Sequence, residues 1–235
     1  MQNFFDAFGL ALTLVLSADA DLFEIVWLSL YVSVAATLFA CLLGIPIGAI
    51  LAIARFPGRR ACLVFVNALM GLPPVVVGLI VYLYLSRSGP LGFLGLLYTP
   101  TAMIIAQVIL IAPIVIALSR QTLEDLHDEY AEAFRSLGLS RAQTIATLLW
   151  EGRFPLLTVA LAGFGRAVAE VGAVMIVGGN IDHLTRVMTT AIALETSRGD
   201  LPLALALGMV LLVLALVVNA AAQGLRETAA RNAYA

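Results

Sequence analysis

Apolar positions along the chain are gathered into long runs separated by short polar punctuation, which predicts helices buried on every side rather than amphipathic helices on a solvated core. The first run, Phe4 to Leu16, covers about 13 residues, too few to cross a bilayer that takes about 20. It lacks the basic flank and small-residue cleavage site of a secretory signal, so residues 1–22 read as an interfacial helix. After Asp19, Asp21 and Glu24, a run from Ile25 to Ala54 is long enough to cross, and it ends in a basic turn, RFPGRR. The next run, Cys62 to Ser86, contains GLPPVVVG. Pro73 and Pro74 remove two backbone donors and are expected to kink or break that helix, and Pro113 is expected to do so more mildly in the run from Thr101 to Ser119. Gly89 to Pro100 reads as a loop, Phe154 to Val177 as a fourth span, Gly178 to Pro202 as a mixed loop, and Leu203 to about Gln223 as a fifth. The fold class is therefore an all-α integral membrane protein with about five transmembrane helices. The spans occupy residues 23–226, followed by a tail over residues 227–235.

Composition agrees with this. Of 235 residues 62% are hydrophobic and 12% charged, too little polar surface for a soluble domain. A net charge of −2 argues against a nucleic-acid partner. All 13 basic residues are Arg. Without Lys the chain can build neither a Walker A loop nor a Schiff base, so any ATP hydrolysis must come from another subunit. Cys41 and Cys62 lie apart within apolar runs, as buried thiols do, and form no metal or redox pair. His127 and His183 belong to different loops, and no HExxH or GxSxG motif is present, which leaves a membrane enzyme little to work with. Arg55, Arg59, Arg60, Arg120, Arg135, Arg141, Arg153, Arg226 and Arg231 fall on one side of the predicted spans, against Arg87, Arg186 and Arg198 on the other. The positive-inside rule then puts the amino terminus outside and the carboxyl terminus in the cytoplasm.

The largest water-facing element is the stretch 124–153, helical on both sides of Gly138. Gly138 suits a left-handed helix cap, and Ser140 with Gln143 forms a capping box for the helix after it. Along the first helix Tyr130, Ala133, Phe134 and Leu137 share a face. Two readings fit: an apolar knob shown to a partner's groove, or a helix folded back on the chain's own spans.

In the fourth span Gly165, Ala169 and Ala173 form a small-xxx-small stripe, and Arg166 and Glu170 place opposite charges one turn apart inside apolar sequence. That pair either faces the translocation pathway or neutralises itself and fixes packing. It is also the one candidate ion relay for the rival reading, an ion-coupled secondary transporter. Gly178, Gly179 and Asn180 break the span. The hydroxyls that follow, among them Thr185, Thr189, Thr190, Thr196 and Ser197, together with Arg186, suit an oxyanion better than a cation but also suit any polar loop.

Glu132, Ala133 and Gly138 stand at the spacing of the EAAxxxG signature, so the chain resembles the permease subunits of bacterial ABC importers. Phe134 takes the place of the second alanine, and Glu151 stands where that family commonly has proline. GLPPVVVGL, GRAVAEVGAVMIVGGNI and TRVMTTAIALETSRGDLPLALALG are similar to permeases of the molybdate, sulfate and tungstate group, and most similar to the tungstate type. The resemblance implies a type I ABC importer permease fold with a cytoplasmic coupling helix, in a bacterial inner membrane. It implies a homodimer carrying two ABC ATPase subunits that use ATP and Mg, with an extracytoplasmic oxyanion-binding protein and no cofactor bound by this chain itself. Glu129, Tyr130, Glu132, Ala133, Phe134, Leu137 and Gly138 would then serve ATPase coupling. Pro73, Pro74, Arg166, Glu170, Gly178, Gly179, Asn180, Thr189 and Thr190 would serve the pathway or its packing.

Overall fold

A computed structural model describes residues 8–13 and 20–233. The remainder of the expected interfacial helix, residues 1–7 and 14–19, lies outside the described residues, as does the end of the tail. The fold is built from helices, with no strand among the described residues. Residues 8–13 are helical (α1). They are followed by α2 (Ala20–Ile53), α3 (Arg59–Met70), α4 (Pro74–Leu85), a 3₁₀ turn (Gly92–Leu94), α5 (Pro100–Glu129) and α6 (Ala131–Ser136). The chain continues through α7 (Arg141–Glu151), α8 (Arg153–Val168), α9 (Gly172–Gly178), α10 (Met188–Arg198) and α11 (Leu201–Ala233). The long helices Ala20–Ile53, Pro100–Glu129 and Leu201–Ala221 are each apolar enough to cross a membrane, and two bent helix pairs raise the number of candidate spans to five.

Proline acts where it was expected to, and less than expected elsewhere. The second span breaks between Met70 and Pro74, where Pro73 adopts φ −64° and ψ 124° and Pro74 opens the first turn of α4. A first-turn proline gives up an amide that has no helical acceptor, so the helix can restart there. Pro46 and Pro113 lie inside helices that continue through them. The tail foreseen at 227–235 is a continuation of α11 up to Ala233.

The described residues cluster into two compact units. One contains residues 1–36, 73–107 and 165–218; the other contains residues 37–72, 108–164 and 219–235. In the first, α4 lies directly against α9: a Cβ added at Gly78 would meet the Ala173 Cα at 2.8 Å, so only glycine permits this approach. Met103, Val174, Val177, Met188 and Leu207 fill the interior of this unit. In the second unit the later half of α2 packs along α5, and Ala49, Ala52, Leu123, Phe134, Leu148 and Leu156 form a core bordered by Tyr130, Leu139 and Ile145. Arg59 fastens this core at its edge. Its Nε donates to the Leu51 carbonyl at 2.8 Å and its Nη2 to Glu124 Oε1 at 2.7 Å, while Glu124 also binds Arg120.

Candidate functional site

Two features place the residues singled out by sequence: the hairpin α6–α7 and the broken fourth span.

The hairpin begins where α5 stops. Tyr130 leaves helical geometry at φ −94° and ψ 4°, and α6 starts again at Ala131. The expected single face of Tyr130, Ala133, Phe134 and Leu137 is divided in two, because only one edge of it meets the core. Phe134 is buried at 9% exposure and, with half-buried Tyr130, joins the core of its unit, whereas Leu137 is 72% exposed and Ala133, Glu132 and Gly138 are open to solvent. Phe134 stacks near His127 at 6.1 Å and Tyr130 at 5.9 Å. The reading of Phe134 as a knob displayed in water is thereby corrected, and the folded-back alternative describes it and Tyr130. Gly138 takes φ +61°, the left-handed cap expected of it, and the Leu139 amide reaches back to the Phe134 carbonyl at 3.2 Å. Ser140 caps α7: its hydroxyl accepts from the Gln143 amide, and the Gln143 side chain accepts from the Ser140 amide at 2.9 Å, completing the capping box. Glu129, the last residue of α5, is exposed. The chain then turns by 70° between α7 and α8.

The fourth span ends as a helix at Val168 and restarts at Gly172, so Gly165, Ala169 and Ala173 do not form one stripe. Gly165 and Ala169 are exposed, and Ala173 is buried against Gly78. A break inside an apolar span leaves backbone groups that need partners, and side chains supply them. Gln107 Nε2 donates to the Ala167 carbonyl at 3.1 Å, and the Thr189 hydroxyl donates to the Glu170 carbonyl at 2.7 Å. Glu170, 4% exposed, accepts from the Ala173 amide at 3.2 Å through Oε1 and from Arg166 at 2.5 Å through Oε2. Its carboxylate thus opens α9 and neutralises Arg166 together.

The loop hydroxyls are spent in the same way. Thr185 donates to the Gly178 carbonyl at 2.6 Å, Thr190 to the Val187 carbonyl at 3.0 Å, and Ser197 to the Leu194 carbonyl at 2.6 Å. Gly178 is buried, Gly179 caps α9 at φ +71°, and Asn180 follows at φ +50°. Pro73 and Pro74 sit at the head of α4 in the same unit. At the surface of this unit His183 Nδ1 lies 2.8 Å from Glu24 Oε2, and this hydrogen bond, with the attraction of Glu24 and Asp182, raises the imidazole above its ordinary pKa.

Sequence reasoning missed Gln107 and Ser29. Ser29 Oγ accepts from the Met188 amide at 2.7 Å and ties α10 to α2. A lone amide within the third apolar run, and the hydroxyls of Ser29 and Ser33 one turn apart, were the available signals.

Comparison with known proteins places this geometry. The chain is 42% identical over 227 residues to the tungstate uptake system permease protein TupB of Peptoclostridium acidaminophilum, covering 97% of this chain and 100% of that one. It is 40% identical over 228 residues to the protein of the same description in Campylobacter jejuni, covering 97% and 95%. It is also 40% identical over 217 residues to a probable anion ABC transporter permease protein of Haloferax volcanii, covering 90% and 94%. Residues 44–228 match the family of binding-protein-dependent transport system inner membrane components. A match of that extent, on a helical chain whose spans are broken and capped from within, makes this protein a member of that family, a multi-pass membrane permease of the type I ABC importer fold.

Proposed function

We propose that the chain forms the membrane pathway of an ATP-driven importer for a tetrahedral oxyanion, tungstate above others. The observation that carries this is the identity with two tungstate uptake permeases over 97% of the chain. Two copies form the pathway, two ABC ATPase subunits supply hydrolysis of ATP with Mg, and an extracytoplasmic binding protein delivers the anion. The amino terminus faces outward and the α6–α7 hairpin faces the cytoplasm, an orientation supported by the arginine distribution.

The hairpin supplies the contact with the ATPase. Phe134 roots α6 in the permease, which leaves Glu132, Ala133, Leu137 and Gly138 as the surface that meets the partner. Force applied at Leu137 passes through Phe134 to the core cluster it belongs to, which draws on α2, α5, α7 and α8, because a close-packed core moves as a body. The broken spans, at Pro73 and at residues 169–171, are the places where the helical hydrogen-bond ladder is already interrupted and helix segments can change angle. With their hydroxyls engaged by the backbone, Thr189 and Thr190 serve packing; Arg166 and Glu170 serve it as a neutral pair.

The test is metal accumulation in cells lacking the subunit, with and without it restored, supplied in parallel with trace tungstate, molybdate and sulfate. Restored tungsten uptake that requires ATP supports the reading. Uptake abolished by an uncoupler while ATP is held constant favours an ion-coupled transporter and refutes it.

A further inference from the structure

Behind the break in the fourth span, within the first unit, lies a small polar chamber of about 10 Å³. Ser29, Ser33, Gln107, Glu170 and Thr189 line it together with valines. Gln107 is 3% exposed, and its Nε2 is committed to the Ala167 carbonyl. Among the described residues its Oε1 has no hydrogen-bond partner. A buried amide oxygen without a donor costs about 1–3 kcal/mol, so the chamber should hold a group that donates to it.

No lining side chain donates to it. The Ser29 proton goes to the Ile25 carbonyl at 2.7 Å and the Thr189 proton to the Glu170 carbonyl at 2.7 Å, while Glu170 accepts from Arg166 and the Ala173 amide. What these groups still offer is lone pairs. An oxyanion, which can only accept, has nothing to bind there, and the volume is far too small for one. A cation would be left uncompensated, because the charge of Glu170 is already matched by Arg166. A space of about 10–15 Å³ with two to four polar partners holds one water. We propose that a single buried water occupies this chamber, donating to Gln107 Oε1 and to a second acceptor among Ser29, Thr189 and Glu170. It thereby completes the polar joint that holds α2, α5, α10 and the 169–171 break together.

X-ray radiolytic footprinting tests this, since hydroxyl radicals made from a bound water oxidise the side chains beside it even when they are buried. The assembled transporter in lipid nanodiscs is irradiated, and oxidation is read at Val32 and Val187, which line the chamber at 1% and 5% exposure. Val174 and Val177, each 0% exposed in the same unit and absent from the chamber wall, are the dry references. Oxidation of Val32 and Val187 several-fold faster than of the references, falling to the reference rate in Gln107→Met, is the expected result. Rates in the intact protein equal to those of Val174 and Val177 would overturn the proposal, and so would fast oxidation that persists unchanged in a folded Gln107→Met protein.

Discussion

Replacing Phe134 by Ala separates the anchor of the α6 hairpin from its docking surface. Phe134 is the buried residue of this six-residue helix, and α6 is too short to persist without its packing. The ring is 9% exposed and lies within about 6 Å of two other aromatic rings. Removing a buried Phe costs about 3–5 kcal/mol, from lost transfer energy and the cavity left behind. Taken at the lower end, and falling on α6 first, about 3 kcal/mol raises the population of the detached hairpin more than a hundredfold. Hydrogen exchange followed by mass spectrometry on the protein in nanodiscs reads this directly at the amides of residues 131–139. Leu137→Ala is the counterpart, since a side chain 72% exposed contributes little to folding, and exchange there should match the wild type. Both variants should lose ATPase binding, Phe134→Ala by releasing the hairpin and Leu137→Ala by removing contact area alone. Unchanged exchange in Phe134→Ala, or an equal rise in Leu137→Ala, would refute the division into a root and a docking face.

Further outcomes follow from the other contacts. Arg166→Ala leaves a carboxylate 4% exposed without its charge partner, a loss of about 3–5 kcal/mol; uptake and thermal stability should fall together and recover in large part with Arg166→Ala/Glu170→Gln, whose amide oxygen can still accept from the Ala173 amide. No recovery would mean that Arg166 acts on something other than Glu170. Gly78→Ala brings a methyl to 2.8 Å from the Ala173 Cα and should lower stability by about 1–3 kcal/mol, measured as a shift in the thermal midpoint; a neutral result would show that α4 and α9 separate at no cost. Because Glu24 raises the pKa of His183 in the folded protein, this tie stabilises the loop fully below the ordinary imidazole pKa and loses that contribution as pH rises through the raised value. Amide exchange over residues 181–186, corrected for its intrinsic pH dependence, should therefore quicken on going from acid to alkaline pH, and Glu24→Gln should leave only the weaker change due to Asp182 and Asp21.

The parts of this protein that sequence makes legible are those governed by a single local rule. Apolar run length gives the spans, Pro73 and Pro74 give the break before α4, and Gly138 with Ser140 and Gln143 gives the turn between α6 and α7. The orientation of α6 was not legible in this way. Helical spacing spreads Ala133, Leu137, Tyr130 and Phe134 over an arc of about 100°, and tertiary packing decides which edge of it turns inward: the Tyr130 and Phe134 edge meets the core, while Ala133 and Leu137 stay outside. The stripe of Gly165, Ala169 and Ala173 failed because the helix is interrupted at residues 169–171, where no proline or glycine pair announces it.

That interruption also explains why so many polar groups in this membrane protein are not at its cargo's disposal. A helix broken inside lipid must have its freed carbonyls and amides satisfied from within, and each satisfied group consumes a side chain. Gln107 goes to Ala167, Thr189 to Glu170, Glu170 to Ala173, Thr185 to Gly178 and Ser29 to Met188. Threonines and serines that look like an anion-binding lining in one dimension are, in three, fastenings of the backbone.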